Sequence, residues 1–163
     1  MIDPDFQLED LARNLTERAV DVYHLDGLEL ILRWYHSGSD CDLMVWLDSE
    51  NQLVRFQFNV TGQIVDWNRL AGFKTGLIVE TEHTQNGSMQ SELMSEMINY
   101  DKEVSPRAIE LAERILLAAR EVKAPWREKM VRLLASSGPQ VRGQAVREAR
   151  PRFWKRFRQW VAG

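Results

Sequence analysis

The sequence predicts an α+β fold: an N-terminal helix, an antiparallel meander of four or five strands, then three or four C-terminal helices. Three observations carry that prediction. Apolar residues recur at helical spacing in the first two dozen positions, alternation of period two runs between Gly27 and Glu82, and helical spacing returns after Ser105.

The first helix has a start signal in Asp3-Pro4, a capping acid followed by a residue preset for the first helical position. Phe6, Leu8, Leu11, Leu15, Ala19 and Val22 make one stripe, so the helix is expected to end near Tyr23, before a turn at Leu25-Asp26-Gly27. A first strand follows from Leu28 to Tyr35, and the turn Ser37-Gly38-Ser39-Asp40 returns the chain into Cys41–Leu47. After a second turn, Leu53–Val60 alternates cleanly, with Val54, Phe56, Phe58 and Val60 against Arg55, Gln57 and Asn59. Thr61-Gly62 leads into a short strand at Ile64–Trp67, and a further strand is expected over Gly76–Glu82. Turns this short join antiparallel neighbours. The polar stretch from Thr81 to Ser91 reads as an exposed loop, and Met89, Met94 and Met97 as gap-fillers in a core.

In the last third, Ser105 caps and Pro106 opens a helix with Ile109, Ala112, Ile115, Leu116, Ala119 and Val122 on its apolar side. Pro125 starts the next, with Trp126, Met130, Leu133 and Leu134 as its stripe. A third helix is expected over Gln140–Arg150, weakened by Gly143, and Pro151 is expected either to kink it or to start a fourth segment.

Composition bounds the function. The chain of 163 residues is 44% hydrophobic and 28% charged, the balance of one folded domain, 1–163, that buries about two thirds of its unfolded surface. One cysteine, Cys41, excludes an intramolecular disulfide and a thiolate metal cluster, which points to a reducing, cytoplasmic setting. The acidic N-terminus has no signal-peptide pattern, and no apolar run approaches the roughly 20 residues of a membrane span. The net charge of −3 hides an asymmetry: Met1–Glu103 carries 7 Lys and Arg against 19 Asp and Glu, whereas Val104–Gly163 carries 14 against 5. An acidic part is followed by a basic one, which suits a contact between the two, with a second copy, or with an anionic partner.

Motifs for chemistry are absent from the sequence. There is no phosphate-binding glycine loop, no nucleophile elbow and no pair of histidines at metal-ligand spacing. His36 has only the turn acids Asp40 and Asp42 beside it. No catalytic residue, metal ligand or cofactor is therefore assigned. A mixed polar and aromatic set on the expected wet side of the sheet, Tyr35, Arg55, Asn59 and Trp67, is the candidate ligand face for a small-ligand-binding or enzymatic domain.

The sharpest feature is the tail 151–163, with Arg150 before it. As a helix, Phe153, Trp154, Phe157, Trp160 and Val161 fall within an arc of about 120°, while Arg152, Lys155, Arg156 and Arg158 occupy the rest. Rings on one side and cations on the other suit docking on the domain, contact with a protein partner or self-association, or an anionic membrane. Nucleic acid fits less well, because stacking platforms put rings and cations on one face. The expectation is a small non-enzymatic interaction module, with Arg150 to Trp160 as the candidate partner-binding residues.

Overall fold

Strand, not helix, follows Asn14. The protein is seen in a computed structural model that describes residues 4–25, 27–38, 41–79 and 97–137. Helix α1 spans Pro4–Asn14, and strand β1 spans Thr16–Leu25. The expectation of a helix to Tyr23 is thus corrected. Leu15, Ala19 and Val22 keep helical spacing by coincidence, but Val20 and Val22 are stiff at χ1 and suit a pleated ribbon. Pairing decides the matter, since Ala19 lies opposite Trp34 and Val22 opposite Ile31.

Six more strands follow: β2 Leu28–Ser37, β3 Cys41–Asp48, β4 Leu53–Val60, β5 Gln63–Asn68, β6 Gly72–Val79 and β7 Met97–Tyr100. They form one antiparallel sheet in chain order, a seven-stranded meander where four or five strands were expected. One added strand is β1; the other, β7, is too short to show a period in the sequence. β6 begins at Gly72 instead of Gly76. At Gly76 the backbone of β7 comes so close that a Cβ would lie 2.5 Å from the Asn99 carbonyl oxygen.

Helix α2 spans Pro106–Ala118 and α3 spans Ala124–Ser136. The Ser105 hydroxyl accepts a bond from the Ala108 N–H at 3.3 Å, as expected of the cap. Arg127 Nη1 donates to the Ala119 carbonyl oxygen at 2.9 Å and so ties the end of α2 to α3. The described residues hold two C-terminal helices, not three or four. The segment expected to be a helix over 140–150, the tail 151–163 and the loop 81–91 lie outside the described residues. No described helix is long and apolar enough to cross a membrane.

The three described helices cover one face of the sheet. Ala12, Ile109, Ala112, Ile115, Leu116, Met130 and Leu134 meet Tyr35, Leu43, Val45, Phe56, Phe58, Val65 and Trp67 in the main core. Each large side chain buried there contributes about 1.5–3 kcal/mol before the entropy of ordering is subtracted.

Candidate functional site

The sheet is apolar on its other face too. Side chains alternate along a strand, so Leu43, Val45 and Leu47 of β3 point to the helices while Met44 and Trp46 point away, yet all five are buried. On β2, Ile31 and Tyr35 belong to the helix side, and Leu30 and Leu32 to the other. β4 adds Val54 through a bulge: Leu47 pairs with Leu53 and Trp46 with Arg55, which leaves Val54 as the extra residue. Leu30, Leu32, Met44, Trp46 and Val54 form a second cluster with Tyr23 and Trp34 packed against it. Its members are only 4–8% exposed, although the buried residues of all three described helices belong to the first cluster.

Polar pairs border this cluster. Arg55 meets Asp66 side-on, Nε to Oδ1 at 2.9 Å and Nη2 to Oδ2 at 2.7 Å, and its Nη2 also donates to Gln57 Oε1 at 3.1 Å. Tyr100 Oη donates to Asp66 Oδ2 at 2.9 Å, and the Arg55 guanidinium lies 4.8 Å from the centre of the Trp46 ring. Arg55 is 8% exposed and Asp66 7%. On the strands toward the other edge, Asp42 Oδ1 accepts from Trp34 Nε1 at 2.9 Å and faces His36 Nδ1 at 2.8 Å. A carboxylate only accepts, so Nδ1 carries the proton and the ring presents Nε2 outward from the pair as an acceptor when neutral. Among the described residues no group of three or more His, Cys, Asp or Glu side chains converges as a metal site.

No family model, curated protein or solved structure matches the chain. The geometry alone therefore speaks for function.

It separates the four residues of the candidate ligand face. Tyr35 and Trp67 face the helices, where Trp67 stacks on Phe56 with ring centres 5.8 Å apart. Arg55 and Asn59 face away. Arg55 is committed to Asp66, and Asn59 Oδ1 accepts the Gly62 N–H at 3.0 Å, which braces the β4–β5 turn. The four cannot line one pocket. The candidate partner-binding residues from Arg150 to Trp160 lie outside the described residues.

Tyr35 belongs instead to a corner under α3. Arg33 Nη1 donates to Glu17 Oε2 at 2.9 Å, and the Tyr35 hydroxyl is buried beside them without a hydrogen bond of good geometry. Burial, reinforced by the Glu17 charge, pushes the Tyr35 phenol above its ordinary pKa against the pull of Arg33. Burial would raise Glu17 as well, but its contacts with Arg33 and Tyr35 and the charges of Arg33 and Lys123 outweigh it, and the carboxyl is held below its usual value.

Sequence reasoning missed the second cluster because it assigned each strand one apolar and one wet side. The signal was present in CDLMVWLD, where apolar residues fill both parities of β3 as in a strand covered on both sides.

Proposed function

We propose that the protein is a non-enzymatic interaction module of the cytoplasm that docks an amphipathic helical segment, from a partner protein or a second copy, on the second face of its sheet. One observation carries this reading: a buried apolar cluster of Leu30, Leu32, Met44, Trp46 and Val54 that no described helix covers. The face has the anatomy of an interface core, with aromatic and aliphatic side chains flanked by satisfied polar pairs. Strands hold it rigid, so little ordering entropy is lost on docking. The lone buried Cys41 suits a reducing compartment.

The test places a photoreactive side chain at Leu28 of the full chain. Leu28 is 49% exposed and shares its side of β2 with Leu30 and Leu32; Leu117, 62% exposed on α2, serves as the control. A discrete protein adduct from position 28 with none from 117 supports the reading. Equal labelling from both positions, or no adduct from 28, sinks it.

A further inference from the structure

The meander ends in two edge strands, β1 and β7. β7 has four residues, whereas β1 has ten, and among the described residues β1 pairs with β2 alone. An edge strand turns a row of backbone N–H and C=O groups outward, and another strand is the partner that satisfies them in order. β1 carries few of the devices that blunt such an edge. It has no Pro and no Lys, and its bulge is confined to Arg18, the residue left over where Glu17 pairs with Tyr35 and Ala19 with Trp34. From Ala19 to Leu25 the ladder is regular. Val20 and Val22 lie in that stretch on the helix side of the sheet, opposite Arg33 and Ile31. No residue of β1 belongs to the core under the described helices, and the two valines are 45% and 54% exposed.

We propose that β1 pairs antiparallel with β1 of a second copy across a two-fold axis at Val22, so that two meanders join into one continuous sheet. The strand's own residues select that register. A two-fold axis between antiparallel strands stands perpendicular to the sheet and keeps every side chain on its own side, so it must pass through a residue. An axis at Val20 would bring the bulged Arg18 into the ladder opposite Val22. An axis at Asp21 would set two carboxylates directly opposite each other, which destabilises a pair. At Val22 neither fault arises. Val22 then meets Val22, Val20 meets His24, and Asp21 meets Tyr23, whose hydroxyl already donates to Asp21 Oδ2 at 3.4 Å within one chain. The two valines of each copy form one apolar strip on the helix side, where each copy alone leaves them in water. The contact is isologous and closes at two chains, because it uses up β1 and leaves only the four-residue β7 at either end. A single strand pair is small, so the dimer belongs to the weak, concentration-dependent class. It uses an edge and not the cluster around Trp46, so it stands or falls separately from docking on the second face.

The experiment is sedimentation of the full, unmodified chain over a wide range of concentration, where the mass should rise from one chain toward two. Val22→Lys sets two ammonium groups opposite each other at the axis and should return the mass to one chain. Leu77→Lys, at a position 52% exposed on β6, should leave the dimer intact. A single-chain mass at every concentration overturns the proposal. A dimer that survives Val22→Lys also overturns it and assigns self-association to another surface. Single cysteines joined by a short bismaleimide read the register: Val22→Cys should link two chains, whereas Val20→Cys, about 14 Å from its copy over four residues, should not. Equal linkage from both positions, or none from position 22, overturns the axis at Val22. Cys41 does not compete, because burial, and then the Asp42 charge, pushes its thiol up to about 12. Amide exchange of the unmodified chain guards against misfolded variants: the amides of β1 should slow as concentration rises while those of α3 do not, and unchanged exchange in β1 overturns the proposal.

Discussion

The guanidinium of Arg33 lies 4.7 Å from the centre of the Trp126 ring, and this stack fastens the middle of β2 to the first turn of α3. The same ring donates from Nε1 to the Asn51 carbonyl oxygen at 3.3 Å, so one side chain ties the helix to both β2 and the β3–β4 turn. Trp126→Ala should cost about 1–2 kcal/mol through loss of the cation–π contact and its packing. Trp126→Phe should recover most of it. Urea denaturation of the two variants measures the difference, and equal midpoints would show that the stack contributes nothing.

Arg55 and Asp66 are each less than a tenth exposed, so breaking the pair is expected to cost far more than removing it. Asp66→Ala leaves a buried guanidinium without its partner, and a loss of about 3–5 kcal/mol is expected. Arg55→Met with Asp66→Leu should lose much less. A double-mutant cycle by denaturant titration gives the coupling, and near-additive losses would contradict this account.

Thr61 and Gly62 form the β4–β5 turn with φ of 49° and 87°. Glycine adopts such angles freely, whereas a β-branched threonine is strained there. Thr61→Asn should therefore stabilise the protein by about 1 kcal/mol, since Asn-Gly is the preferred pair for a two-residue hairpin turn. A thermal melt is sufficient; a lower midpoint would show that the Thr61 side chain has a contact that outweighs the strain.

Acid stability should depend on Glu17 and Asp48. Burial raises Asp48, but the N–H groups of Gln52 and Glu50 and the Arg69 guanidinium more than reverse it, so that Asp48, like Glu17, sits below its ordinary value. A carboxyl whose folded pKa is depressed adds stability above its unfolded pKa of about 4 and loses it as pH falls through the folded value. Glu17→Gln and Asp48→Asn should each lower the urea midpoint near neutrality and flatten its fall on acidification. Curves that stay parallel to the wild type would refute the assignment.

Much of the fold was legible, and the reasons differ by element. The start and buried face of helix α2 were readable because Ser105, Pro106 and the stripe from Ile109 to Leu116 agree with one another, but the helix ends at Ala118, before the Ala119 and Val122 that the stripe was expected to include. β4 was plain from Arg55 to Val60, but Val54, expected beside Phe56, is turned to the other side by the bulge, which leaves no mark in the sequence. β1 was hidden because Ala19 and Val22 fit both periods, and only the presence of β2 alongside decides between them. The second face was hidden for a related reason: in β2 and β3 the apolar runs Leu30–Leu32 and Leu43–Leu47 fill both parities, which says that both sides are covered, but not by what. Tyr35 and Trp67 looked wet by parity, yet the helices fold over that side, and Asn59 looked like a ligand contact when its partner is the next turn.

The strand order has a consequence for how the protein is made. Every strand pairs with the one synthesised just before it, so hairpins that form in about 1–10 μs can assemble as the chain emerges at about 5–20 residues per second. The helices that cover Phe56 and Phe58 come later, with Ile109 to Leu134. For a few seconds, about 2–7, a nascent chain shows a finished sheet whose main apolar side has only the α1 end of the chain, Ala12 and Leu15, to cover it. Chaperones that bind exposed strands would meet this protein on the ribosome, and slowing translation between β5 and α2 would lengthen that encounter.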